Sequence, residues 1–402
     1  MSDKIIFHCD CNSFFASCEE LLYPALKKVP MAVTGDPENR HGIILAKNQL
    51  AKKYNIQTAE TIWQAKRKCP ELVCVLAHHG YYGKISKQIN QIYLSYTDLT
   101  EPASIDESYL DVTNTIHLFG AAPRELADSI RERVKREVGV TISVGVSFCK
   151  TVAKFGSDYK KPDATTVIMR EQLPDIFWKA PVSDMLMAGK KTTAKLSSLG
   201  IRTIGDLANA DRDMLSRSMG KMGEQLWRCA NGMDDEPVHP YDEKREAKSV
   251  GNSMTFRRDI KGEEELRAGI SALADSVAGR LRADGKKCTV VQVGIKDPSF
   301  HTVQKQKTLD RATDLQKEIT EIAFDLLRSC WSMNAPVRLL SVTGSGLIGA
   351  DEDCVQMDLF APQQRVSEKQ TAIEGTIDAI RSRYGKGVIR FGHFQDDETG
   401  IR

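Results

Sequence analysis

Two acidic residues, Asp106 and Glu107, stand side by side in SIDESYLD, residues 104 to 111, a segment whose apolar neighbours otherwise read as a half-buried strand. A third acid, Asp10, closes the run KIIFHCD near the N-terminus. Strand alternation puts His8, Asp10 and Asn12 on one face and Phe7, Cys9 and Cys11 on the other. If the two segments pair, the carboxylates converge at one edge of a sheet, a costly arrangement unless cations sit there. Hard oxygen ligands with room for water and phosphate oxygens suit Mg2+. Two such ions, about 3.5 to 4 Å apart, serve an in-line phosphoryl transfer. Taken alone, Asp106, Glu107 and Asp111 read more simply as a solvated turn, so the surrounding elements have to decide.

Those elements alternate between strand and helix. A strand around Ile5 to Cys11 passes through a polar turn into a helix that Pro24 ends. VPMAVTGD and GIILAKNQLAKKYNI read as a strand, a turn, a second strand and a helix, a satellite unit closing near ELVCVL. A helix over 81–96 precedes the acidic pair, and another over 124–137 leads to VTISVGVSF, which implies a βα-alternating layer made from distant strands. From Pro181 to Val238 the pattern is short and helical. Gly189 lies in one connection, and Gly220 and Gly223 bracket another in MGKMG, where free helix N-terminal amides could receive a phosphate. Residues 245 to 345 give β-α-β-β-α-β, a ferredoxin-like order.

The chain has 402 residues, 41% of them hydrophobic and 27% charged, with a net charge of +2, which points to several globular domains and excludes a disordered polymer. No apolar run reaches the length of a membrane span, and the N-terminus lacks the basic start and long apolar core of a secretory signal, so a cytoplasmic protein is expected. The ten cysteines then read as reduced, small apolar residues, and Cys9, Cys11 and Cys18 lack a downstream partner pair at zinc spacing. Lys244 to Ser345 holds 18 basic against 13 acidic residues, while Gly346 to Arg402 holds 7 against 10. A basic module before an acidic tail suggests a polyanion partner for the former.

HCDCNSFFASCEE, ASIDESYLDVT, SVGVSFCKTVAKFGSDYKKPDA, ANGMDDEPV and KSVGNSMTF together resemble the signatures of the Y-family translesion DNA polymerases. The resemblance implies an α+β multidomain right hand. Its parts are a ferredoxin-like palm (1–22 and 78–168), small fingers (23–77), a helix-hairpin-helix thumb (169–240), a β-α-β-β-α-β little finger (241–345) and a C-terminal tail (346–402). It implies metal ligation of two Mg2+ by Asp10, Asp106, Glu107 and the Cys11 carbonyl, and a nucleotide site over Cys11, Asn12, Ser13, Phe14 and Phe15. Phe15 matches the steric gate that leaves no room for a 2′-hydroxyl, and Lys161 the lysine that meets the triphosphate. In AKNQLAKKYNI, Gln49 and Lys52 stand where many relatives carry Tyr and Arg; lysine keeps the charge but loses the guanidinium fork. Gly189 lacks the second glycine usual in the first thumb hairpin, whereas Gly220 and Gly223 keep the pair of the second, both expected at DNA phosphates. CVQMDLFAP, with Gln356, Met357, Leu359 and Phe360, resembles the peptide by which bacterial replication proteins dock on the sliding clamp.

The expected activity is template-directed addition of deoxynucleotides to a primer on DNA by a monomer, with low fidelity and without proofreading, since no nuclease module fits in the chain. Gln49 and Lys52 leave a polymerase V-like catalytic subunit open beside the polymerase IV branch. Two readings from other classes are a palm-fold nucleotide cyclase, which has no use for phosphate-binding hairpins, and a non-catalytic DNA-binding adaptor, which has no use for three acids.

Overall fold

The computed structural model describes residues 4–36, 42–243, 246–352, 368–385, 387–389 and 399–401. They fall into two compact units, one within Met1–Gly35 and Ile43–Lys244, the other within Asp36–Gly42 and Arg245–Arg402.

In the first unit β1 (Ile6–Cys11) turns into α1 (Phe14–Leu22) through Ser13, which takes the left-handed conformation at φ 52°. A small sheet follows from β2 (Met31–Thr34), β3 (Ile44–Lys47), α2 (Gln49–Lys52), α3 (Ile62–Lys68) and β4 (Val73–Leu76), with strand order β3-β2-β4. Side chains start both of its helices: Asn48 accepts from the Ala51 amide, and Thr61 accepts from that of Gln64. The chain returns through α4 (His79–Leu94), β5 (Thr100–Pro102), β6 (Glu107–Asp111), α5 (Pro123–Glu137), β7 (Ile142–Ser147), α6 (Lys150–Tyr159) and β8 (Thr165–Val167). The resulting five-stranded sheet has the order β5-β6-β1-β7-β8.

Helical spacing gives α4 and α5 apolar stripes, Tyr82, Ile85, Ile89 and Tyr93 on one and Leu126, Ile130 and Val134 on the other, which pack with Phe7, Cys9 and Leu110 of the sheet. α6 approaches strand β7 so closely that a Cβ on Gly145 would stand 1.9 Å from the Ala153 carbonyl oxygen. Walled by helices, β1 and β7 are buried at every residue.

The unit continues with α7 (Lys190–Ser198), α8 (Ile204–Ala208), α9 (Arg212–Met219) and α10 (Lys221–Ala230). Thr203 and Asp211 cap α8 and α9. Gly220, at φ +63°, turns α9 into α10, and a Cβ on Gly223 would lie 2.3 Å from the Leu215 carbonyl oxygen.

The second unit runs β9 (Ser249–Ile260), α11 (Glu263–Ala283), β10 (Lys286–Lys296), β11 (Thr302–Thr313), α12 (Gln316–Cys330) and β12 (Val337–Gly349). This is the β-α-β-β-α-β order read from the sequence. It is laid out as an antiparallel sheet with strand order β11-β10-β12-β9, the unit's second and fourth strands central. Phe256, Leu273, Val277, Val293, Phe324 and Leu340 lie in its core. The last strand continues past residue 345. The segment read as a tail also supplies α13 (Glu368–Tyr384), whose Glu374 and Asp378 pair with Arg282 while Arg381 holds Asp275 at 2.8 Å. The peptide with Gln356, Met357, Leu359 and Phe360 lies outside the described residues. No described helix is long and apolar enough to cross a membrane.

Candidate active site

Strand pairing decides where the acids go. β1 lies antiparallel to β6 with Asp10 directly opposite Glu107, and the Cys11 amide donates to the Asp106 carbonyl at 3.0 Å. The two segments therefore meet at one end of the sheet. Asp10 is buried, whereas Asp106 and Glu107 are half-buried. The Asp106 carboxylate accepts from Ser104 Oγ at 2.7 Å and so is held by its own turn.

Two lysines from α6 and the residues after it close the site. Lys154 Nζ donates to Asp10 Oδ2 at 3.0 Å and Glu107 Oε1 at 2.9 Å and forms an ion pair with Asp158 Oδ2 at 3.0 Å. Lys161 Nζ forms ion pairs with Asp10 Oδ2 at 2.6 Å and Asp158 Oδ1 at 2.7 Å. Burial raises the Glu107 carboxyl above its ordinary value, and Asp10 adds to this while Lys154 works against it. Burial also pushes Asp158 upward, but Lys161 and Lys154 outweigh it and hold that carboxyl low. Burial, then Lys47 and Lys161, depresses the Lys52 ammonium.

Behind the acids His8 is fully buried, 2.8 Å from Ser157 Oγ through Nδ1. The Ser157 hydroxyl proton is already given to the Lys154 carbonyl, so Nδ1 carries the proton and Nε2 remains an acceptor, 3.8 Å from Glu107 Oε2 and without a hydrogen-bond partner among the described residues. Burial, reinforced by Lys154 and Lys161, lowers the His8 pKa well below 6.5 and keeps the ring neutral.

One cavity of about 520 Å³ brings together Asp10, Cys11, Asn12, Ser13, Phe14, Phe15, Lys52, Asp106, Glu107 and Lys161. It also takes in Lys47, Thr58, Lys154 and Asp158, which the sequence reading did not single out. Gln49 is not in this wall; it is exposed at the first turn of α2. Phe15 lies flat on Tyr82, ring centroids 4.5 Å apart and 17° between planes, and Tyr82 Oη donates to the buried Glu19 at 2.5 Å. Gly189 precedes α7 on the surface, where Met187, and not a glycine, takes the positive φ of 70°.

Three stretches match family models: residues 9–158 the impB/mucB/samB family, residues 247–359 the C-terminal domain of that family, and residues 188–234 a model described as DNA polymerase-iota, thumb domain. The chain thus belongs to the Y family of DNA polymerases and is DNA polymerase IV-like. The DNA polymerase IV of Acetivibrio thermocellus is 44% identical over 98% of both chains. DNA polymerase IV 1 of Bacillus subtilis is 38% identical over 97% of this chain and 92% of its own. A solved Y-family DNA polymerase chimera shares the fold, with a TM-score of 0.75 at 24% identity, covering 86% of this chain and 99% of the chimera.

Membership brings the use of a divalent metal. Among the described residues no three His, Cys, Asp or Glu side chains form a ready cage. The donor set nonetheless fits a hard cation: carboxylate oxygens of Asp10 and Glu107 face one another across the strand pair, with ammonium groups already seated against them as stand-in cations.

Proposed function

We propose that this translesion DNA polymerase adds deoxynucleotides to a primer 3′ end at the carboxylate end of its five-stranded sheet. The observation that carries the assignment is the antiparallel register that sets Asp10 opposite Glu107, with Asp106 next in the chain, at the mouth of a lysine-lined cavity. Asp10, Asp106, Glu107 and the Cys11 carbonyl would hold two Mg2+ ions. When bound, these ions lower the pKa of the attacking hydroxyl and neutralise charge on the departing pyrophosphate. Lys52, Lys161 and Lys47 offer point charges to the triphosphate in the cavity that Asn12, Ser13 and Phe14 also line. Phe15 bars a 2′-hydroxyl: its ring cannot tilt away without leaving Tyr82, which Glu19 fixes.

The α9–α10 turn bracketed by Gly220 and Gly223, whose own amides donate to the Ser216 and Gly220 carbonyls, and the N-terminus of α7 at Gly189 would meet DNA phosphates through the first amides of α10 and α7. The second unit would grip the duplex. Gln356, Met357, Leu359 and Phe360 would be captured by a bacterial sliding clamp, raising the polymerase's effective concentration at the primer. The chain is read as a cytoplasmic monomer.

Primer extension with and without Mg2+ tests the assignment. Asp106→Ala and Glu107→Ala should each cost several orders of magnitude in single-nucleotide insertion while duplex binding persists. Near wild-type extension by either variant would defeat it. Gln356→Ala combined with Leu359→Ala and Phe360→Ala should leave insertion on naked DNA unchanged and reduce extension with a loaded clamp to the clamp-free length. Survival of clamp stimulation would remove the peptide from the account.

A further inference from the structure

The lysine between the acids has more to do than balance charge. Lys154 is carried on α6, which Gly145 lets lie flush against β7, so its side chain enters the site from a fixed height and is only 16% exposed. An ammonium has three N–H donors. Lys154 gives two of them to Asp10 of β1 and Glu107 of β6 and forms an ion pair with Asp158 of α6 itself. Asp158 lies one helical turn from Lys154 and is half exposed, with its other oxygen on Lys161.

We propose that Lys154 is a resident counter-cation that makes divalent-metal binding an exchange: its ammonium yields Asp10 and Glu107 to the metal and retires to Asp158. The inference rests on the reading of Asp10 and Glu107 as metal ligands. A divalent ion on those oxygens would stand within a few ångströms of Nζ, and two cations cannot share the seat. Asp158 gives the displaced ammonium a second anchor, so it leaves the acids without being released to water. Before metal arrives, the lysine keeps two opposed carboxylates from repelling one another across the strand pair. The consequence is weak metal binding to the bare chain and stronger binding once an incoming triphosphate adds negative charge beside Lys154. Metal and nucleotide are thereby coupled.

Isothermal titration of Mg2+ into the full chain, free of DNA and nucleotide, tests this without reading activity. Lys154→Gln should tighten Mg2+ binding about tenfold, equivalent to about 1.4 kcal/mol. Asp158→Asn, a change at a half-exposed position, should loosen binding several-fold because both ammonium groups then stay on Asp10. Adding a non-hydrolysable deoxynucleoside triphosphate should raise Mg2+ affinity less in Lys154→Gln than in the wild type. Unchanged or weaker binding by Lys154→Gln, or tighter binding by Asp158→Asn, overturns the exchange. Wild-type binding that survives Asp10→Asn with Glu107→Gln overturns the ligand assignment itself, and the exchange with it. Far-UV circular dichroism of each variant confirms that the fold is kept, and if Lys154→Gln fails to fold, the sign of the Asp158→Asn effect alone decides.

Discussion

The two large sheets of this molecule are built from similar parts and put to opposite use. The five-stranded sheet is closed on both faces, yet its neighbourhood carries ionisable groups sealed from water: His8 and Asp10 on β1, and Lys150 against Glu101 at 2.7 Å with both side chains less than a tenth exposed. The four-stranded sheet packs one face on α11 and α12, and its other face carries rows of small polar residues. Register sets Ser253, Ser341, Gly294 and Gln304 in one row and Gly251, Thr343, Gln292 and Gln306 in the next. A charge buried between layers survives only with partners at fixed distance, so the first sheet must be stiff. A face of hydroxyls and amides that water already satisfies makes no such demand.

The sharpest way to break this contrast is at Gly145. A methyl there would meet the Ala153 carbonyl oxygen at 1.9 Å and the Ser157 amide at 2.5 Å, both backbone atoms that cannot step aside. Gly145→Ala should force α6 off the sheet at a cost of about 3 kcal/mol. That corresponds to a fall of roughly 6 to 12 °C in the first unit's calorimetric transition. Lys154 and Ser157 ride on that helix, so loss of the His8 hydrogen bond and of nucleotide insertion should accompany it. A shift below about 2 °C would mean the packing is far looser than the distances say.

A smaller effect follows from the buried ring. The folded state holds His8 neutral with its pKa lowered below 6.5, while the unfolded chain takes up a proton near 6.5. The unfolded state therefore binds more protons as pH falls, and the contribution of the neutral ring to stability, complete above pH 6.5, is lost below it. The slope is at most about 1.4 kcal/mol per pH unit from this one group. Melting the first unit between pH 7.5 and 5.5 should reveal it, and His8→Gln should flatten the lower half of that profile. An unchanged slope would place the acid sensitivity elsewhere.

What the sequence could and could not disclose divides along the same line. The strand alternation around Asp10 and the β-α-β-β-α-β order of the second unit depend on local period, and alternation or helical spacing exposes them; the pairing of β1 with β6 that sets Asp10 opposite Glu107 does not. Lys154 looks like Lys150 and Lys160 in CKTVAKFGSDYKK. Only the crossing of α6 over β7 sends Lys150 to Glu101 and Lys154 to the acids. A usable signal was present in the spacing of Lys154 and Asp158, which share a helical face of α6, with Lys161 just past the helix end. Lys47 closes GIILAK, an apolar run that reads as a strand, and Gln49, two residues on, was expected in a wall that β3 and α2 give to Lys47 and Lys52. Strand order in the second unit, and the docking of α13 through Arg282 and Arg381, depend on contacts between residues tens of positions apart, about a hundred for α13, which no local period records.

The smallest expected effect completes the contrast from the other side. Gly294 sits in the middle of β10, in the polar row with Ser341 and Gln304, so a methyl added there points to the open face. Its closest neighbours would be Ser341 Oγ at 2.4 Å and Gln304 Cγ at 3.6 Å, both side-chain atoms. A serine hydroxyl relieves such a contact by rotating to another staggered position, and a strand loses little by exchanging glycine for alanine. Gly294→Ala should therefore cost less than about 1 kcal/mol, below what most core insertions cost. Calorimetry of the second unit's transition beside that of Gly145→Ala in the first makes the comparison within one chain. Equal losses would show that the open sheet is as tightly constrained as the closed one, and the division between a closely packed sheet and a forgiving open face would have to be abandoned.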